Sequence, residues 1–459
     1  MNKILNNFFV SEHYLCKYKK EFIYLDVNTL DVFILDEIDN CILKTINNYP
    51  DGEGLNIPVL KYSREIICEH IDELQKNCII NVLENKIEKE ANEFNYESDN
   101  IYSLDVIITE DCNLACKYCF VKKNKYLGKS ALMQFDVSEK TINFLIQNSG
   151  NIDDLYICFF GGEPLMNFKV MEKMVNYALE EGLKNKKAFH FSLTTNGTLL
   201  SDEIIEFLDK HQISVQISID GNNNSHNLNR PFSGGADSYY KIEQNVKKLD
   251  QRNMNYTARA TVTSFTKSNI AENFDHFISM GFKRVHFENA MAPKGKIYIN
   301  QKDEIKEIKK QYSIISKRIS KNIRLGIPCD FESLPLPLGK ILSKSTNLCS
   351  CTAGRGYLSV DTKGDLYLCH RFVGDENFNL GNIIDDTYNA KLSEIMKSEV
   401  NVEKRKKCSK CWARYICGGG CYEINYTYNK DIFLTPETYC QLMKHNIKLA
   451  LKLYALASE

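Results

Sequence analysis

Between about Tyr102 and Phe287, short apolar runs alternate with amphipathic stretches. The runs Leu104–Thr109, Leu155–Phe160, Phe189–Thr194, Ser214–Ile219, Tyr256–Val262 and Arg284–Phe287 have strand length and strand composition. Between them, Ser138–Gln147, Met171–Glu181 and Ile270–Ser279 place apolar residues at helical spacing. Six such βα units predict an α/β fold, a partial (β/α)6 TIM-like barrel over residues 101–310. Function in such folds gathers at the C-terminal ends of the strands.

Residues 1–90 follow another order. Phe22–Asp26 and Asp31–Leu35 are β-prone and joined by Val27-Asn-Thr-Leu30, a hairpin pattern. Helical patterns over Asp36–Ile46 and Ser63–Lys76 follow, then a β-prone Cys78–Val82. Hairpin, helix, helix and closing strand is a winged-helix-like order. The polar stretch Glu84–Asn100 reads as a linker. Beyond the barrel, Gln301–Lys321 predicts a long helix packed on it, and Ile327–Leu338, with three prolines, a loop. Residues 311–348 are thus a bridging helix and linker, and 349–459 a last domain. No repeat or low-complexity tract is present.

At 459 residues, the chain can bury two or three cores. Its 58 basic and 59 acidic side chains leave a net charge of −1, so no global field draws nucleic acid or an anionic membrane. The run Lys404-Arg405-Lys406-Lys407 reads as a solvated face. Asn6 and Asn7 interrupt the apolar residues near the N-terminus and no cleavage site follows, which argues against a secretory signal. No apolar run approaches the ~18 residues of a membrane helix. The expectation is a cytoplasmic protein.

Seventeen cysteines are many for a cytosolic enzyme, and an odd count suits a disulfide framework poorly. Seven of them, Cys16, Cys41, Cys68, Cys78, Cys158, Cys329 and Cys349, lack a spaced setting and read as buried apolar fillers. The others form sets. Cys112, Cys116 and Cys119 follow the first predicted strand, and three thiolates at this spacing can hold three irons of a [4Fe–4S] cluster. The fourth iron is then open to a reactant. Scattered reduced cysteines or a zinc site are the alternatives for this motif alone.

The spacing CxxxCxΦC, with Tyr118 before the last cysteine, resembles the signature of the radical S-adenosylmethionine (SAM) enzymes. The resemblance implies a SAM cradle at successive strand ends. Gly161-Gly162-Glu163-Pro164 ends the second strand and resembles the family's amino-group motif, with exposed acceptors, Glu163 among them, for an ammonium. The third strand ends in Thr194-Thr-Asn196-Gly-Thr198. Ser218, at the end of the fourth, and Arg230 match residues that touch SAM in relatives, and a guanidinium fork suits its carboxylate. Relatives often carry His-Asp before that arginine, where this chain has His226-Asn227. Arg259 could add a contact or serve its strand, and Met291 matches the segment that packs on adenine.

Cys351, Gly364, Cys369, Cys408, Cys411, Cys417, Cys421 and Cys440 form an ordered series that resembles the SPASM domain, which holds two auxiliary [4Fe–4S] clusters. Carried over, one cluster takes Cys408, Cys411, Cys417 and Cys440, and the other Cys351, Cys369 and Cys421. A zinc ribbon from Cys408, Cys411, Cys417 and Cys421 is the alternative. Relatives with a fully ligated first cluster have a further cysteine where this chain reads Gly354–Leu358. Three ligands leave an iron open to a substrate thiolate unless Cys349 fills it.

The resemblance implies SAM and three [4Fe–4S] clusters as cofactors, an external electron donor such as flavodoxin or ferredoxin, and release of a 5′-deoxyadenosyl radical. The N-terminal order resembles the peptide recognition element of peptide-modifying relatives, where a leader peptide adds a strand to a sheet edge. The whole looks like the thioether-forming ranthipeptide and sactipeptide maturases, which act on a ribosomal precursor peptide. Anaerobic sulfatase maturases are the close alternative. They lack the long N-terminal module and place an aspartate base after the cysteine matching Cys369, where this chain has His370, a candidate base in its own right. Carbon–carbon peptide cross-linking and a non-enzymatic multi-cluster electron-transfer protein also fit the cysteines.

Overall fold

The alternation of apolar runs and amphipathic stretches in the middle of the chain folds into six parallel strands joined by helices. The computed structural model describes residues 8–48, 61–82, 100–123, 131–326 and 337–458. Most of the linker expected over Glu84–Asn100, most of Ile327–Leu338, and Cys329 lie outside them.

The N-terminal module contains β1 (Phe8–Val10), β2 (His13–Tyr18), β3 (Glu21–Asp26), β4 (Val32–Leu35), helices Glu37–Asn48 and Arg64–Lys76, and β5 (Ile80–Val82). β2, β3 and β4 form an antiparallel sheet, and β5 pairs with β1. The Asp26 carboxylate closes the β3–β4 turn by accepting the N–H of Asn28 and Thr29 at 2.8 and 2.9 Å. Ser63 caps the second helix through the N–H of Ile66. Tyr24, Leu35, Ile42, Leu43, Ile67, Ile71 and Leu74 form the core. Two strands were not anticipated from the sequence. β1 is three residues long and β2 carries His13 and Lys17 among its apolar residues, so neither has a clean alternation.

The barrel strands are β6 (Ser103–Thr109), β7 (Asp154–Gly161), β8 (Ala188–Thr195), β9 (Ser214–Ser218), β10 (Tyr256–Val262) and β11 (Arg284–Asn289). They are parallel and neighbour one another in chain order. Beyond β6 the sheet continues. β12 (Tyr357–Val360) lies parallel to β6, and β13 (Asp365–Tyr367) and β14 (Asn379–Asn382) extend it antiparallel to nine strands. The last domain therefore shares its sheet with the barrel and covers what would be an edge at β6. The four residues of β12 carry too little pattern to read as a strand alone.

The helix expected over Gln301–Lys321 spans Lys302–Arg324, with Glu304 folded back on the N–H groups of Asn300 and Gln301 at 2.9 Å. It packs on the C-terminal helix Glu437–Ala457, where Ser313 and the Lys309 carbonyl meet His445. The N-terminal module is clamped to the last domain. Arg414 makes a bidentate pair with Glu12, Tyr14 stacks on Trp412 at 3.7 Å between centroids, and Lys344 pairs with Asp31. Among the described residues, no helix is long and apolar enough to cross a membrane.

Of two buried carboxyls at the β12–β13 turn, Asp361 shapes the turn and Glu110 joins it to the barrel. Asp361 accepts the N–H of Lys363 and Asp365 at 2.9 Å, and Thr362 donates to Glu110 at 2.9 Å. Burial lifts Asp361 to about 6 in spite of its two donors, and Glu110 adds repulsion. The raised value means that the native state binds the extra proton. This contribution to stability is present at pH ~4 and lost as pH rises through about 6. Asp361→Asn keeps the acceptor oxygen and removes the titration. Relative to the variant, wild type should lose about 1–3 kcal/mol between pH ~4 and ~6 in chemical denaturation.

Candidate functional site

The cysteine loop begins where β6 ends, and glycines let it lie against β7. A Cβ on Gly161, which has φ +135°, would meet the Thr109 carbonyl oxygen at 2.2 Å, and one on Gly162 the Asp111 carbonyl oxygen at 2.1 Å. The close approach these glycines permit is thus that of the cysteine loop itself. Their backbone still lines a cavity of about 510 Å³ at the C-terminal ends of the strands.

That cavity is walled by Cys112, Cys116, Tyr118, Cys119, Gly161, Gly162, Asn196, Ser218, Arg230, Arg259, Met291 and His370, so residues far apart in the chain converge on one space. Asp220, which sequence reasoning passed over, organises them. Its Oδ1 accepts from Arg230 Nε at 2.9 Å and Thr261 N at 2.8 Å, and its Oδ2 from Tyr118 Oη at 2.7 Å. Arg230 lies over the Tyr118 ring at 5.2 Å and points Nη1 at Cys116 Sγ, 3.8 Å away. Burial opposes the charge on Arg230, but the Asp220 carboxylate more than offsets it and keeps the guanidinium ionised.

Glu163 departs from its expected role. Its side chain is fully buried and accepts from Thr195 Oγ1 at 2.6 Å, Asn196 N at 2.7 Å and Leu165 N at 3.1 Å. It is not the exposed acceptor the motif suggested, because those three donors draw it under the loop and away from the cavity. Burial raises it to about 7 despite them. It instead holds Asn196, whose Nδ2 donates to Asn113 Oδ1 at 2.8 Å and approaches Cys112 Sγ at 4.0 Å. Cys158 also differs from expectation. It is no apolar filler but lines the cavity, partnered by Ser192, Thr194 and Asp105. Cys78 is exposed, in a turn at φ 55°.

The second wall is built by β6, β11 and the turn after Cys369, with β12 behind it. His370 Nδ1 meets Asp105 Oδ2 at 2.5 Å and Tyr357 Oη at 3.0 Å, and Tyr357 Oη donates to the same Asp105 oxygen at 2.5 Å. An ionised Asp105 can only accept, so Nδ1 is a nitrogen of His370 that carries a proton, and Nε2 is left to face the cavity. Glu288, at the end of β11, meets Arg259 at 3.3 Å and Arg371 at 3.8 Å. Burial would raise its carboxyl, yet the two guanidiniums hold it below the ordinary value. Arg371 also pairs with Glu423 at 3.2 Å.

The remaining cysteines fall into two groups. Cys351 and Cys369 are each raised by the charge of Cys421, and Cys369 also by that of Cys351, whereas Cys417 and Cys440 are each raised by Cys408 and Cys411. Cys421 therefore lies near Cys351 and Cys369, and Cys440 near Cys408, Cys411 and Cys417. Cys349 is partly buried against the cluster that contains Cys369, Phe372 and Phe378.

These residues fit iron–sulfur clusters and SAM. Burial, with repulsion from neighbouring thiols, pushes Cys112 and Cys440 up to about 12 and Cys417 to about 11. Such thiols become ligands only when metal displaces their protons. Among the described residues, no three cysteine sulfurs lie within 4.8 Å of one another. A single tetrahedral ion, with metal–sulfur bonds of about 2.3 Å, would draw them to about 3.8 Å apart. In the cavity wall, Arg259 Nη1 is buried with no protein partner among the described residues, a donor suited to an acceptor on a ligand.

Comparisons with known proteins agree with this geometry. Residues 106–278 match the radical SAM superfamily model and residues 349–412 the SPASM iron–sulfur cluster-binding domain. The cysteine-type anaerobic sulfatase-maturating enzyme of Clostridium perfringens is 29% identical over 360 residues, covering 74% of this chain and 93% of the relative. The structure of histidine-tagged anSMEcpe with bound AdoMet aligns with a TM-score of 0.65 at 25% identity, over 78% of this chain and 95% of that one. The fold of Streptococcus suis SuiB, in the crystal structure with its precursor peptide SuiA, aligns over 95% of this chain and 100% of that one, with a TM-score of 0.54 at 17% identity. The chain is an enzyme with a radical SAM domain and a SPASM domain, homologous to the anaerobic sulfatase-maturating enzymes.

Proposed function

We propose that this enzyme is a peptide maturase. It binds a ribosomally made precursor peptide and joins a cysteine sulfur to a carbon of another residue. The observation that carries the reading is that one cavity is walled both by Cys112, Cys116 and Cys119 and by His370, which directly follows Cys369. The radical source and the cluster of Cys351, Cys369 and Cys421 then serve the same space.

When bound, the SAM-loaded cluster supplies a carbon radical able to remove hydrogen from unactivated carbon. The chain's own residues do the rest. Asp220 holds Arg230 and Tyr118 around the cysteine loop, Arg259 Nη1 and Ser218 offer hydrogen bonds to SAM, and Met291 gives an apolar wall. His370 Nε2 takes the proton of the substrate thiol, with Nδ1–H donated to Asp105. A carrier such as flavodoxin or ferredoxin exchanges the electrons. The N-terminal module binds the leader as an added strand on the β2–β3–β4 sheet. Its support is the SuiB fold, which aligns over 95% of this chain where anSMEcpe covers 78%.

A second reading, formylglycine formation in a sulfatase, is favoured by the relative that is 29% identical over 93% of its own length. Product mass separates the two. A thioether product keeps the cysteine sulfur and is lighter by a pair of hydrogens per link, whereas formylglycine made from cysteine loses the sulfur.

Three outcomes are expected in anaerobic assays with SAM and a reductant. Cys112→Ala should abolish 5′-deoxyadenosine formation, read by chromatography; undiminished formation would remove the SAM site from this loop. His370→Gln should slow peptide modification about 10²–10⁴-fold while uncoupled SAM cleavage continues. Deleting residues 1–90 should weaken precursor binding in titration while iron content is kept, and unchanged affinity would end the leader-binding role. The cradle is also testable by denaturation. Asp220→Ala strands the buried Arg230 charge and should cost about 3–5 kcal/mol, more than Asp220→Asn.

A further inference from the structure

Arg405 is a charged residue packed between the two auxiliary cysteine sets, and the protein leaves its hydrogen bonding incomplete. It opens the turn into Cys408, its carbonyl accepting the N–H of Cys408 at 2.8 Å. Arg405 thereby leaves the solvated face expected of the run Lys404-Arg405-Lys406-Lys407: its guanidinium is folded inward and the residue is only 6% exposed. Nη1 donates to the Gly419 carbonyl at 2.9 Å. Gly419 is the middle of three glycines that separate Cys417, of one set, from Cys421, of the other. All three have positive φ, and a Cβ on Gly419 would meet Arg405 Nη1 at 2.2 Å, so the backbone is shaped to admit this guanidinium.

The guanidinium carbon lies over two rings, Tyr422 at 5.8 Å and Phe433 at 5.6 Å from the centroids. Tyr422 in turn donates to the Cys351 carbonyl at 3.3 Å. Its edges are another matter. Among the described residues, Nε and Nη2 are both buried with no hydrogen-bond partner, and no carboxylate pairs with the charge. Burying a permanently charged group with unpaired N–H donors costs stability that an acceptor at this place would offset.

We propose that Arg405 is a positioning residue shared by the two auxiliary iron–sulfur clusters: its Nε–H and Nη2–H donate to cluster sulfur, and its fixed charge eases the addition of an electron to both. The proposal rests on the reading that Cys351, Cys369 and Cys421 hold one cluster and Cys408, Cys411, Cys417 and Cys440 the other. No bond is made or broken. Each reduction takes one electron from a one-electron carrier, and the guanidinium offsets the added negative charge. Net charge and hydrogen bonds to sulfur are what set such potentials.

The test is a redox titration of the intact enzyme with all its clusters, followed by electron paramagnetic resonance, for wild type, Arg405→Met and Arg405→Lys. In Arg405→Met the reduced-to-oxidised ratio of both auxiliary clusters at a fixed poise should fall at least tenfold, about a 59 mV shift for a one-electron couple. The cluster of Cys112, Cys116 and Cys119 should not move. Arg405→Lys keeps the charge but places a compact ammonium where a planar fork spans two sets, so at least one auxiliary cluster should shift tenfold while iron and sulfide are retained. Unchanged auxiliary potentials in either variant, or an equal shift at all three clusters, would overturn the proposal. Should wild type itself lack two auxiliary signals, the cluster assignment fails, a result distinct from a null effect of Arg405.

Discussion

Everything at the active end of the barrel depends on keeping three cysteines in place in a buried and charged setting, and the Asp220 carboxylate is what does this. One side chain accepts from Arg230 on one loop, Tyr118 on the cysteine loop and Thr261 on β10. The group is almost completely buried, and its pairing with Arg230 is what makes either charge tolerable there. Because its two oxygens serve three elements, the spacing of strand ends and the path of the cysteine loop are set together.

The same economy appears on the opposite wall. Asp105 projects from β6, the strand that carries the cysteine loop, and its Oδ2 receives both Tyr357 of β12 and His370. β12 belongs to the last domain, yet it is hydrogen-bonded alongside β6. Sheet continuity across the two domains is therefore what brings the residue after Cys369 into the cavity of Cys112, Cys116 and Cys119. Arg371 and Glu288 seal that junction with a second ion pair, between the turn after Cys369 and the end of β11.

Beneath this lies a third layer, the paired auxiliary cysteine sets. The glycine bend between Cys417 and Cys421 sends consecutive cysteines to different groups, and the N-terminal module grips the adjacent loop through Arg414 and Trp412.

Elements whose physics is local are legible in the chain alone. The six barrel strands are apolar runs with helical stretches between them, and their bounds agree with the observed ones to within two residues. The cysteine motifs are readable because a cluster demands fixed spacing, and the strand-end residues because function gathers there. Long-range pairing settles the rest. Glu163 reads as an exposed acceptor but lies buried, since donors from β8 draw it inward. Cys158 reads as filler yet faces the cavity, because alternation along β7 fixes its side while only sheet closure makes that side functional. β12 is four residues without pattern, and its place beside β6 is set by a partner far away in the chain. Asp220 and Arg405 carry no motif of their own. Their importance comes from burial and from which groups the fold leaves within hydrogen-bond reach, and neither quantity exists until the chain has folded.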